Sequence, residues 1–312
     1  MTTPSWLSDE PPHPFRYRDL TGLGISRRAL AASLRSGAML QPVTGVYVDA
    51  RLADDAIIRA QVIHLATGDD AVVARGLAAW LHGFDPRAPH EQERPLALEC
   101  VAVPGRRTPD RRGLITHRDR LPDDDVTTIH GIAVTTIERT VLDTSRFLAP
   151  HMGLAVADAI AHAGLVDPVE LLTRYDEWPP RQRWMARGKR CLDLCEPDTE
   201  SYGESWTRLR IVDAGFPRPR PQIWVPEKRP GAYRLDMGWE ELRKAIEYDG
   251  EADHTSQEAQ DHDDARRDDL RNRYGWTVWP VRKGEVLGHD MAVERAVGEL
   301  LGLEPQIRKR LW

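Results

Sequence analysis

The strongest constraint on this chain lies in its last third, where apolar residues change from helical spacing to strand alternation and back. Glu200–Ala214 reads as a helix stopped by Gly215 and a proline-rich turn. Strands follow at Gln222–Val225, Tyr233–Met237 and Lys244–Tyr248, then a long polar helix over Ser256–Tyr274, a strand at Thr277–Val281 and a closing helix at Met291–Leu301. The order α-β-β-β-α-β places acids at defined points. Glu204 lies inside the first helix, Asp236 at the end of the second strand, and Glu247 at the end of the third, followed by Tyr248, Asp249 and Gly250. Adjacent strands are about 4.8 Å apart, so Asp236 and Glu247 can bring their carboxylates to one point. A hard divalent ion, Mg²⁺ or Mn²⁺, takes such oxygens together with waters and a phosphate, and it activates water toward a phosphodiester. Acids flanked by Leu235, Met237, Ala245 and Ile246 are costly to bury unless paired or metal-bound.

Three runs carry a family resemblance: "ESYGESWTRLRIVDAGFPRPRPQIWV", "YRLDMGWEELRKAIEYDGEADHTS" and "DARRDDLRNRYGWTVWPV". They resemble the very-short-patch-repair-type (Vsr-like) endonucleases of the PD-(D/E)XK superfamily over roughly the last 110 residues. The resemblance implies Asp236 and Glu247 as metal ligands, Glu204 as a supporting acid and His254 as general base. It also implies Asp264 and Arg267 as an acid–arginine pair holding the site together. The superfamily's usual lysine, two residues after the glutamate, is Asp249 here.

Residues 1–15, with four prolines, read as a flexible leader, and residues 16–50 as a compact unit. Arg16–Leu23 is a short helical stretch broken by Gly24. Ser26 is an N-cap, Arg27–Ser36 a helix and Gly37 its stop. Met39–Leu40 and Gly45–Val48 are two extended pieces joined by a Pro/Thr/Gly turn. Helix, turn, helix, hairpin is the order of a winged helix-turn-helix. Residues 52–180 alternate helix (Ala53–Ala66, Ala71–His82, Thr136–Phe147, Gly153–Ala163) and strand (Leu96–Val103, Leu114–His117, Ile132–Thr135). Residues 181–198 form a linker and 199–312 the last domain. The fold class is therefore a multidomain α+β and α/β chain.

The motifs "GIS-R" at 24–27, "SG" at 36–37, "GVY" at 45–47 and "GIAVTTIERTVLD" at 131–143 resemble the type IV toxin–antitoxin (abortive-infection) antitoxins over residues 16 to about 165. That resemblance implies DNA as a partner, with a toxin or a second copy as possible protein partners. A helix of this kind fits the major groove with side chains near its start on base edges. Ser26, Arg27, Arg28, Ser33 and Arg35 are the candidates. Arg106, Arg107, Arg111 and Arg112 either add a second phosphate-contacting patch or are ordinary solvated loop charge.

Composition narrows the classes. A net charge of −6 argues against an indiscriminate nucleic-acid binder, although screening leaves local basic surfaces free to act. Three scattered cysteines make no disulfide framework, no stretch approaches the roughly 20 apolar residues of a membrane span, and a cytoplasmic setting suits both. Three functions remain. One is a DNA-binding protein with metal-dependent endonuclease activity. Another is a DNA-binding regulator or antitoxin whose nuclease-like domain is catalytically silent. The third is a protein-partner module that neutralises a toxin and has no salt-dependent affinity for DNA.

Overall fold

The structure, a computed structural model, describes residues 13–88, 91–178, 183–227, 231–250 and 257–309, with side chains from 265 onward in the last stretch. Two compact units result, Met1–Leu148 and Ala149–Trp312. The expected middle domain, 52–180, is therefore divided between them.

In the first unit, strand β1 (Phe15–Arg16) pairs antiparallel with β3 (Val46–Asp49), which also pairs with β2 (Met39–Val43). Helix α1 (Arg27–Ser36) starts at Ser26, whose Oγ accepts the Ala29 N–H at 3.1 Å, and ends at Gly37 with φ +77°. Both ends follow the expected capping. Of the expected leader, residues 1–12 lie outside the described residues; Phe15 is buried against Tyr47, and Arg16–Leu23 forms a strand end and a single 3₁₀ turn at Tyr17–Asp19 rather than a helix.

Every residue of β3 is buried, because the hairpin has two apolar faces. Met39 and Tyr47 pack with Leu20, Ile25 and Leu30. Val43, Val46 and Val48 enter a second core with Ile58 and Val62 of α2 (Ala56–Thr67). That core continues to a five-stranded sheet of order β6-β5-β4-β8-β7, formed by β4 (Ala71–Val73), β5 (Glu99–Ala102), β6 (Ile115–His117), β7 (Val126–Ile129) and β8 (Ile132–Thr135). The spacing that predicts one helix over Ala71–His82 is overridden at its start. Val72 pairs with Val101 and Val73 with Val134, leaving the helix α3 to Arg75–Leu81. Helix α4 (Ile137–Phe147) follows β8 from an N-cap at Thr136.

In the second unit, α5 (Pro150–His162), α6 (Pro168–Asp176) and α7 (Met185–Asp193) precede α8 (Tyr202–Asp213). The expected linker contains α7, because Gly188, Cys191 and Leu192 form a buried stripe and Cys191 packs with Leu154 and Leu209. A four-stranded sheet of order β12-β11-β10-β9 follows, made of β9 (Arg220–Val225), β10 (Tyr233–Trp239), β11 (Lys244–Asp249) and β12 (Thr277–Arg282). The first three strands run antiparallel in sequence, and β12 joins β11 in parallel after the crossover helix α9 (Gln257–Tyr274). Short α10 (Lys283–Leu287) and α11 (Ala292–Leu301) complete the unit.

Candidate nucleic-acid interface and acidic cleft

Helix α1 exposes Arg27, Arg28 and Arg35 along with the capping Ser26. Ser33 does not join them. Its side chain is 0% exposed and its Oγ has no hydrogen-bond partner, because it falls on the helix face that packs inward beside Leu30. The expectation that Ser33 contacts DNA is therefore overturned. The β2–β3 turn, Thr44–Gly45, is met by the arginine loop between β5 and β6. Thr44 N–H donates to the Arg112 carbonyl at 3.0 Å, and Arg111 Nη1 donates to the Thr44 carbonyl at 3.2 Å. Gly113, at φ +91°, makes this approach possible, since a Cβ there would lie 2.0 Å from the Pro42 carbonyl oxygen. Arg106 Nη1 donates to the Asp69 carbonyl at 3.0 Å.

Carbonyls orient these guanidinium groups without neutralising them, and Arg106, Arg107, Arg111 and Arg112 are all exposed. Local charge therefore departs from the whole. Residues 104–113 carry four arginines and one aspartate, a net +3 within a chain of −6. The hairpin turn and the arginine loop are one surface, a juxtaposition their separation in sequence conceals.

The first unit also holds a buried charge network. Arg139, 1% exposed, donates to Asp143 and Asp125 at 2.9 Å each and to the Arg120 carbonyl at 2.6 Å. Arg146 reaches Asp119 and Asp143. The run 131–143 thus contributes β8, an N-cap and the arginine that ties α4 to the loop around Asp125. Its polar residues are structural, because buried charges persist only when paired.

The second unit gathers the three acids. Asp236 lies inside β10, and Glu247 stands across from it on β11, one residue beyond the Met237–Ile246 pair. Asp236 Oδ2 accepts the Tyr248 N–H at 2.8 Å. Glu204, on the first turn of α8, accepts from Ser201 Oγ at 2.8 Å and from Gln222 Nε2 at 3.0 Å. The Tyr248 ring covers Gly203, where a Cβ would meet ring carbons at 2.1 Å. Burial, and then the neighbouring charge of Glu204, push the Asp236 carboxyl up to about 7; Glu247 adds to the rise, while the Tyr248 N–H and Arg266 oppose it.

Glu247 is held differently. Arg266 of α9 donates to both of its oxygens, at 2.6 and 2.8 Å, and also to the Arg234 carbonyl at 3.0 Å. The resemblance gives Asp264 and Arg267 as an acid–arginine pair, and the Asp264 side chain lies outside the described residues. Arg267 itself is half-buried. Asp249 ends β11 in register with Arg282. His254 and the Asp264 side chain lie outside the described residues.

These contacts bear on the metal that the sequence resemblance implies. Among the described residues no three His, Cys, Asp or Glu side chains are grouped so as to hold a metal ion. Both oxygens of Glu247 accept from Arg266, and His254 and the Asp264 side chain, which the resemblance adds to the site, lie outside the described residues.

Comparison with known proteins covers both units. Residues 71–194 match the family model of the AbiEi antitoxin C-terminal domain. Two curated relatives from Mycobacterium tuberculosis are similar along most of the chain: "Uncharacterized protein MT2308" of strain CDC 1551 / Oshkosh and "Uncharacterized protein Rv2248" of strain ATCC 25618 / H37Rv. Each is 26% identical over 257 residues, which cover 82% of this chain and 90% of the relative. Among the described residues no helix is long and apolar enough to cross a membrane.

Proposed function

We propose that this chain is a DNA-binding regulator of the antitoxin type, with a toxin as its protein partner and a C-terminal nuclease-like domain that does not cut DNA. One observation carries the reading. The arginines of α1 and of the loop docked on the hairpin turn are exposed, and among the described residues none of them pairs with a carboxylate. Uncompensated guanidinium groups around a helix and a hairpin turn suit phosphate contacts, with a planar fork available for guanine. The similarity of residues 71–194 to an antitoxin domain supports the same class.

In this reading α1 is the recognition helix of a winged helix-turn-helix. Arg27 and Arg28 reach into the groove, the Thr44–Gly45 turn acts as the wing, and Arg106, Arg107, Arg111 and Arg112 hold the flanking backbone. Ser26 stays committed to its cap. The silence of the C-terminal cleft is supported by the Arg266–Glu247 pair, which takes the oxygens a metal would need.

Gel shifts against DNA upstream of the protein's own gene test the first part. The Arg27→Ala/Arg28→Ala double variant is expected to bind about 10-fold or more weakly, with a shallower salt dependence by roughly one unit for each lost phosphate contact. Salt-independent binding, or none by the parent, refutes it. Supercoiled plasmid incubated with Mg²⁺ or Mn²⁺ tests the second part. Nicking by the parent that is lost in Asp236→Ala would make the cleft an endonuclease site after all.

A further inference from the structure

Strands β5 and β6 run parallel, with Val101 opposite His117, so the arginine loop leaves one end of the five-stranded sheet and returns at the other. The start of the loop and the residues just after β6 therefore meet at the same end. There Arg118, exposed and one residue past β6, donates from Nε to Thr108 Oγ1 of the loop at 3.1 Å.

A hydroxyl orients a guanidinium without neutralising it. Among the described residues Arg118 pairs with no carboxylate, and its two terminal nitrogens make no hydrogen bond. The nearest acids in the chain and across the sheet are already taken. Asp119 reaches Arg146 at 3.3 Å and Arg139 at 3.5 Å. Glu99 holds His117 at 2.9 Å and Arg75 at 3.3 Å. Arg118 thus keeps its full charge beside a loop whose Arg106 and Arg107 are also exposed. A fork held at its stem and open at its tip loses less side-chain freedom when an anion meets it. Several such forks along one loop suit a chain of phosphates better than a single small anion.

We propose that Arg118 is a further phosphate-contacting residue of the DNA interface, positioned by Thr108, and that the basic surface runs from the Thr44–Gly45 turn along the loop to the end of β6. The inference rests on the DNA-binding reading and adds to it a residue and a kind of contact, to the backbone and not to base edges.

Gel shifts of the full chain across a salt series test it, with DNA upstream of the protein's own gene and a scrambled duplex of the same length as probes. Arg118→Ala is expected to weaken binding to both duplexes by the same factor, about 5- to 10-fold at about 0.1 M salt, and to lower the slope of log affinity against log salt by about 0.9. Arg118→Lys keeps the charge and is expected to keep the slope. Arg295→Ala removes the same charge from an exposed position on α11 and is expected to bind like the parent. If the parent binds with the expected salt dependence and Arg118→Ala matches it, the inference is overturned and the DNA-binding reading stands. A parent with no salt-dependent binding overturns both. Loss of affinity for the upstream DNA alone would make Arg118 a reader of bases, and an equal loss in Arg295→Ala would make the effect one of net charge; either result overturns the phosphate contact.

Discussion

Replacing Asp236 with asparagine should stabilise the protein above neutrality and leave it unchanged in acid. The Asp236 carboxyl is raised from its ordinary 3.8 to about 7, first by burial and then by the charge of Glu204. The folded protein therefore holds this proton more tightly than the unfolded chain does. Folding is relatively favoured at low pH, and the advantage drains away as pH climbs from about 4 through about 7. Three units at about 1.4 kcal/mol each give about 4 kcal/mol as the ceiling, and partial solvation of the site lowers it toward about 2 kcal/mol. Asparagine carries no charge and its Oδ1 can still accept the Tyr248 N–H. The stability gap between variant and parent should thus open from near zero at about pH 4 to about 2–4 kcal/mol at pH 8. Urea unfolding of both proteins across that range measures the gap, and the ¹³C resonance of the Asp236 carboxyl, assigned by its loss in the variant, should titrate near neutrality. Millimolar Mg²⁺ should leave the midpoint where it is, since an ion bound at the carboxylate would compete with the proton and lower it. Parallel stability curves, or a midpoint near 4, refute the account of the cleft; a Mg²⁺-dependent midpoint refutes the assignment of Arg266 as its resident cation.

Arg266→Ala should cost about 1–3 kcal/mol by stranding Glu247, and it should raise the Asp236 midpoint further by removing a nearby cation; denaturation and the same carbon titration read both effects. Ser33→Ala should be neutral or stabilising by up to about 1 kcal/mol, because it removes a buried hydroxyl with no partner, and gel shifts should show unchanged DNA affinity. Arg139→Met should destabilise by about 3–5 kcal/mol in thermal or urea unfolding, since Asp143 and Asp125 lose the cation they share.

Local chemistry is legible wherever a residue acts on its own neighbours. Ser26 and Gly37 bound α1 as their capping roles dictate, the order of elements from α8 to β12 follows the change in apolar period, and the hairpin of acids puts Asp236 across from Glu247. Pairing and facing are another matter. Ala71–Val73 is apolar enough for a helix and becomes a strand because Val101 and Val134 lie on either side of it. The segment through Cys191 and Leu192 is polar on average yet forms a helix because one narrow stripe finds Leu154 and Leu209. Ser33 looks available in the sequence and is buried by the helix's rotation. Arg266 meets Glu247 because its place on α9 turns its guanidinium toward β11. The sequence by itself determined the caps of α1, the order of elements from α8 to β12, which acids can meet, and that basic residues concentrate in two segments. Only the tertiary structure decided that the arginine loop docks on the hairpin turn and that Arg266 pairs with Glu247. Each of these depends on contacts between residues far apart in the chain, whose free energy no local pattern records.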